Sequence, residues 1–148
     1  MITKPFVGVL LLLCAGAASA ATAMPACVTV QQGWVRLPPN PAMAMTAGYG
    51  VIHNGCANAV TITGARSASF GDVSLHETTI IDGVSRMREV ERLPLAPGAR
   101  AELKPGGLHL MLMEGRGALK EGQAVPLQLQ LECGGEASTT LMVRKAAP

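Results

Sequence analysis

The chain has 148 residues, enough for one domain with a hydrophobic core but not for two. Only 15% of it is charged, the formal net charge is +2 and aromatics make up 3%. With no basic run, acidic tail or set of stacking rings, nucleic acid is not an expected partner, and neither is an anionic membrane surface.

Residues 1–20 read as an export signal. Lys4 supplies a minimal positive start, Phe6 to Cys14 an apolar stretch, and Ala18-Ser19-Ala20 the small residues that signal peptidase needs. The apolar stretch is too short to span a bilayer, so stable membrane insertion is not expected. Cys14 is a poor lipidation site because the bulky Leu13 precedes it. The expected organisation is a signal peptide over 1–20 and a single domain over 21–148, nearly neutral and destined for the periplasm.

The mature chain alternates apolar and polar residues in short runs separated by turn signals, the pattern of a β-sandwich or barrel of short antiparallel strands. Val28, Val30 and Trp34 mark a first strand, which the Pro38-Pro39-Asn40-Pro41 stretch ends. Thr46 to His53 and Val60 to Ala65 read as the second and third strands. Val73 to Ile80 and Ser85 to Val90 form a hairpin that turns at Asp82-Gly83. Pro94-Leu95-Ala96-Pro97-Gly98 reads as a loop, Arg100 to Lys104 as a short strand, and Pro105-Gly106-Gly107 as a turn into Leu108 to Met113. Val125 to Glu132 and Ser138 to Arg144 complete the set, and no stretch carries a sustained helical period.

Export alters the reading of the cysteines. Cys14 leaves with the signal, so Cys27, Cys56 and Cys133 remain, and at most one intramolecular disulfide can form. Cys27 opens the first strand and Cys56 follows the second. A hairpin of those strands brings the two together at its open end, so Cys27–Cys56 is favoured. Cys133, in the Glu132-Cys133-Gly134-Gly135 turn, is left free.

The chemistry-bearing residues lie mid-chain. Counting outward from Asp82-Gly83 sets His76 opposite about Glu89, with Met87 a diagonal neighbour on the same face. His109 and Met111 are two apart on one strand and so share a face, with Met113 beyond them. Leu108, Leu110 and Leu112 alternate with them as the core face. Single His or Met residues on strands are usually packing, but segregation of His-Met-Met away from a leucine face is not what packing alone produces. Two imidazoles and two thioethers make a neutral, soft set that suits Cu(I) and suits Zn²⁺, Ca²⁺ or Mg²⁺ poorly. A blue-copper centre would need a thiolate beside two histidines, and no mature cysteine has that placement.

The remaining candidates read as bland. His53 is a surface or turn histidine. Met43 and Met45 are core or loop packing in preference to a soft rim. Arg86 and Arg88 are solvated charges on the face opposite Met87, and Glu77 points away from His76.

His76, Met87 and His109-Leu110-Met111 reproduce the spacing H-x10-M-x21-H-x-M. With Ala47-Gly48-Tyr49, Val84-Ser85-Arg86-Met87 and Lys104 to Met113, this resembles the periplasmic copper chaperone family linked to the copper-A centre of cytochrome c oxidase, over roughly Val30 to Arg144. The resemblance implies a cupredoxin-like fold and Cu(I) held by His76, Met87, His109 and Met111. It also implies delivery of copper to a membrane oxidase subunit, without catalysis. The Met/His-rich C-terminal tail of some relatives is absent, so one copper site is expected and no second. A monomer is expected. The alternatives are a copper sequestration or import protein with another recipient, and a metal-free adhesion or scaffold module. No Ser-His-Asp order, activated Cys-His pair or paired carboxylates suggests an enzyme.

Overall fold

The computed structural model describes residues 27–148; the expected export signal lies outside them. Ten strands account for the fold: β1 (Val28–Arg36), β2 (Thr46–Asn54), β3 (Val60–Arg66), β4 (Phe70–Ile81), β5 (Val84–Glu89), β6 (Leu93–Leu95), β7 (Arg100–Leu103), β8 (Leu108–Gly115), β9 (Ala124–Leu131) and β10 (Glu136–Arg144). The all-β expectation holds. Seven of the strands run β4-β8-β2-β1-β10-β9-β3, and β3 returns to β4 through Ala65 and Val73, closing a barrel. β5, β6 and β7 attach to β4, β3 and β2 as additions to this ring.

Strict alternation builds the core. On β9, Val125, Leu127, Leu129 and Leu131 all face inward, and on β8 Leu110 and Leu112 are fully buried. Each such side chain contributes about 1.5–3 kcal/mol of burial. A one-residue slip on any of these strands would turn its whole apolar set to solvent, so the register is tightly specified.

Three features depart from the sequence reading. Leu93–Leu95, read as part of a loop because of Pro94, is a short strand pairing with Val60–Ile62. Proline is tolerated there because β6 terminates the sheet path, leaving its missing N–H on an unpaired edge. β1 and β10 pair in parallel, with Trp34 against Met142, in a fold read as antiparallel throughout. That pairing joins the first described strand to the last and removes two edges that would otherwise lie open. β1 also carries a bulge between Gln31 and Trp34, where Gln32 takes a φ of 51°. Gly50 sits against the bulge at φ +148°, where a Cβ would come within 3.0 Å of the Gln31 carbonyl and the Gly33 Cα, so only glycine fits.

Two internal ties fix the end of the barrel near the cysteines. Cys27 and Cys56 form the favoured disulfide, their Cα atoms 4.9 Å apart, beside the Val28–Asn54 register pair. Cys133 is free and exposed. Asn54 is fully buried; its Nδ2 donates to the carbonyls of Asn58, Leu95 and Ala96 at 3.0, 3.0 and 3.1 Å, and its Oδ1 accepts from Cys56 N–H at 2.9 Å. One side chain thus ties the β6 segment to the end of β2.

Candidate metal centre

The four residues singled out by spacing fall on three adjacent strands, β5-β4-β8. On β4, Val73 and Leu75 point into the core, which turns Ser74, His76 and Thr78 to the outer face. On β8, Leu110 and Leu112 point inward, which turns His109, Met111 and Met113 outward beside them. The register then pairs His76 with His109 and Ser74 with Met111. Across the hairpin His76 pairs with Glu89 and Thr78 with Met87, so Met87 is a diagonal neighbour of His76, as counting from the turn predicts.

The two imidazoles lie side by side, their ring centroids 6.1 Å apart and their planes 32° apart. A metal bound about 2.0 Å from a ring nitrogen lies about 3.2 Å from that ring's centroid, so the two rings are within span of one ion. Met111 stands opposite Ser74 and Met87 opposite Thr78, one register step to either side of His76 along β4.

The tautomer of the neutral His109 ring is set by its neighbour. Its Nδ1 lies 2.9 Å from the Gly107 carbonyl oxygen, which can only accept, so Nδ1 carries the hydrogen and Nε2 is left as a bare donor atom. The same carbonyl accepts the Thr78 N–H at 3.0 Å, so the Pro105-Gly106-Gly107 turn anchors His109 and the base of the hairpin together. The Nε2 of His76 lies 3.0 Å from the Ser74 hydroxyl, which can donate or accept and therefore supports either tautomer.

Burial differs sharply among the four. His109 is 6% exposed, although the face it occupies is turned from the leucine core; alternation alone does not show that neighbouring strands cover it. His76 and Met111 are half-buried, and Met87 is 55% exposed on a strand whose six residues are all exposed. On the far face of the hairpin Arg88 pairs with Glu77 at 2.6 Å, which removes both charges from the His/Met side. Among the described residues no group of three or more His, Cys, Asp or Glu side chains is placed to hold a metal ion. Beside the two imidazoles the register places two thioethers, Met111 and Met87, and such a set of neutral nitrogen and sulfur atoms is chemically suited to a soft monovalent cation.

Other candidates fall elsewhere. His53 pairs with Thr29 and Arg100 on the far part of β2. Met43 and Met45 are 45% and 50% exposed in the segment before β2, so of the expected core or loop packing the loop reading is the one that fits. Sequence reasoning missed Ser74 and Gly107; a hydroxyl two residues before His76 and a carbonyl two residues before His109 were the available signals. It also missed the aromatic neighbour pair Trp34 and Tyr49, both buried, with ring centroids 4.7 Å apart and Arg36 lying 5.3 Å over Tyr49.

A closed seven-strand barrel with imidazoles and thioethers on its outer face is the setting in which the comparisons with known proteins fall. The LpqE-like family, described as putative lipoprotein LpqE-like, matches residues 28–143, and the chain belongs to it. A putative lipoprotein of Leifsonia xyli subsp. xyli (strain CTCB07), Lxx21020, is 30% identical over 120 residues, covering 79% of this chain and 69% of that protein. Among solved structures, the Cu(I) form of DR1885 from Deinococcus radiodurans is 30% identical with a TM-score of 0.63, covering 86% of this chain and 83% of its own. The apo PCuAC domain from PmoF1, at 20% identity, has a TM-score of 0.65 and covers 81% of this chain and 95% of that domain, a likeness of fold. The family resemblance read from the motif spacing therefore holds.

Proposed function

We propose that this chain is an exported copper chaperone that holds one Cu(I) between His76, Met87, His109 and Met111 and passes it on by ligand exchange, without turnover. The observation that carries this reading is the juxtaposition of His76 and His109 across β4 and β8, with one thioether on each diagonal. The solved Cu(I) form of a 30% identical relative supports the choice of metal.

Neutral ligands leave the charge of the ion uncompensated, so the site lacks the added grip of thiolate and can release its cargo. The imidazoles define the stable half of the site: His109 is buried and held by Gly107. Met87, exposed on the outermost strand, is the ligand an incoming acceptor can replace first. Following the family resemblance, the proposed acceptor is the copper-A centre of cytochrome c oxidase. The proposed location is the periplasm after removal of residues 1–20. The relatives' designation as lipoproteins supports export; Leu13 before Cys14 favours a free mature chain over a lipidated one.

The test is an anaerobic Cu(I) titration of residues 21–148 against a competing chromogenic chelator, beside His109→Ala. One equivalent held tightly by the wild type and far more weakly by the variant supports the site. No copper retained by the wild type refutes it. Transfer to an apo copper-A domain, and its loss with a non-copper oxidase subunit, tests the recipient.

A further inference from the structure

Leu75, Leu110, Gly48, Val35 and Val143 pair in succession across β4, β8, β2, β1 and β10, and this row faces the core. The next residue on each strand faces outward, giving the row His76, His109, Tyr49, Trp34 and Met142. His76–His109, Tyr49–Trp34 and Trp34–Met142 are themselves register pairs. Tyr49 and His109 meet one residue along from the paired Gly48 and Leu110, both still within their strands. Outward residues of a barrel are ordinarily wet, yet His109, Tyr49 and Trp34 are only 6%, 4% and 5% exposed.

β2 changes partner at Tyr49. Gly48 pairs with Leu110 of β8, and Gly50 with Leu103 of β7. Residues 104–109 therefore leave the sheet and return to it opposite Tyr49. The excursion is closed by the Lys104 N–H on the Leu108 carbonyl at 2.8 Å and the Gly107 N–H on the Lys104 carbonyl at 3.1 Å. Its Gly107 carbonyl is the group that accepts Nδ1–H of His109. Trp34 lines one cleft with Lys104 and Pro105 of the same excursion. The Trp34 and Tyr49 rings lie 4.7 Å apart, and the Arg36 guanidinium lies 5.3 Å over Tyr49. His76, one strand further from this aromatic pair, stands between His109 and the exposed Glu89 and is half-buried.

We propose that Tyr49, braced by Trp34 and Arg36, is a positioning residue of the copper centre. Its ring walls the base of the 104–109 excursion and keeps water from the His109–Gly107 hydrogen bond. A hydrogen bond shielded from water is the stronger for it, so the wall holds His109 in one tautomer with Nε2 ready for the ion. The consequence for copper rests on the His/Met reading; the effect on the metal-free His109 ring does not.

The test is NMR of metal-free residues 21–148 beside a Cu(I) competition titration, for wild type, Tyr49→Phe and Tyr49→Leu. The wild type should show NOEs between the Tyr49 and His109 rings, and their absence overturns the proposal without any variant. Tyr49→Phe, which keeps the ring, should retain the Nδ1–H tautomer and the Cu(I) affinity. Tyr49→Leu should mix the two tautomers of His109, leave the His76 nitrogen shifts in place and weaken Cu(I) binding by about 10–100-fold. Amide dispersion of β9 and β10 checks that each variant folds; should Tyr49→Leu not fold, the wild-type NOEs decide. A Tyr49→Leu chain with wild-type tautomer and affinity refutes the proposal, and so does weaker affinity with the His109 tautomer unchanged, the mark of a general structural effect. If the wild type binds no copper, the His/Met reading fails while the NOEs and tautomers still decide this one.

Discussion

His76 and His109 face one another across the β4–β8 ladder with 6.1 Å between ring centroids, yet they differ in what holds them. His109 is buried and donates Nδ1–H to a backbone carbonyl, whereas His76 is half-buried and meets a hydroxyl that can turn. The two imidazoles are therefore unequal partners in any shared metal, one preset and one adaptable.

From this inequality follows a prediction about ligand loss. Removing a ligand should exceed the roughly 10–100-fold cost typical of losing an outer-shell partner, so His109→Ala and Met111→Ala should each weaken Cu(I) binding by more than that. Met87→Ala, on the exposed strand, should weaken it less and speed transfer to a chelator. Competition titration and stopped-flow transfer measure these effects. Equal affinity in His109→Ala and wild type would refute the assignment.

Tautomers offer a copper-free check. Long-range ¹⁵N–¹H spectra of the metal-free chain should show His109 protonated at Nδ1, and Ser74→Ala should change the His76 nitrogen shifts while leaving those of His109 in place. A His109 protonated at Nε2 contradicts the Gly107 hydrogen bond.

Asn54 should matter to stability more than any other polar side chain in the barrel. It has four backbone partners and no exposure, so Asn54→Ala leaves several buried groups unpaired and should cost about 2–4 kcal/mol. Urea unfolding with an unchanged m-value measures this, and a loss below 1 kcal/mol would show that the carbonyls find other partners.

The disulfide makes a separate prediction. Cys27 and Cys56 are 29 residues apart, and closing a loop of that size corresponds to about 3–4 kcal/mol in the chain-entropy treatment. Cys27→Ser with Cys56→Ser should lose that amount in thermal or urea unfolding. Cys133→Ser, at an exposed turn, should stay within about 0.5 kcal/mol of wild type.

Strand periodicity made most of the barrel legible, because alternation such as Val125-Leu127-Leu129-Leu131 has one reading when one face is buried. The hairpin register was legible too: Asp82-Gly83 fixes the turn, and the count from it places Glu89 opposite His76. The parallel β1–β10 pair was not, since it joins strands from opposite ends of the sequence and no local pattern encodes it. The strand status of Leu93–Leu95 was hidden by Pro94, whose tolerance depends on β6 lying at an edge. The exposure of Met43 and Met45 was equally hidden, because side-chain type favours the core and only tertiary placement leaves them outside it.

The pairing of Trp34 with Met142 and of Arg36 with Arg144 also sets an order of events. β10 covers the open side of β1 and, through β9, completes the ring, so the barrel cannot close until the last strand is available. Contacts of such long sequence separation are slow to form, because their loop entropy is lost before the contact gives anything back. Until then β1 and β9 present unpaired edges, the state in which this chain is most exposed to aggregation and to proteases. A truncation before Glu136 should therefore leave an open sheet instead of a smaller barrel, and the final nine-residue strand acts as the clasp of the whole fold.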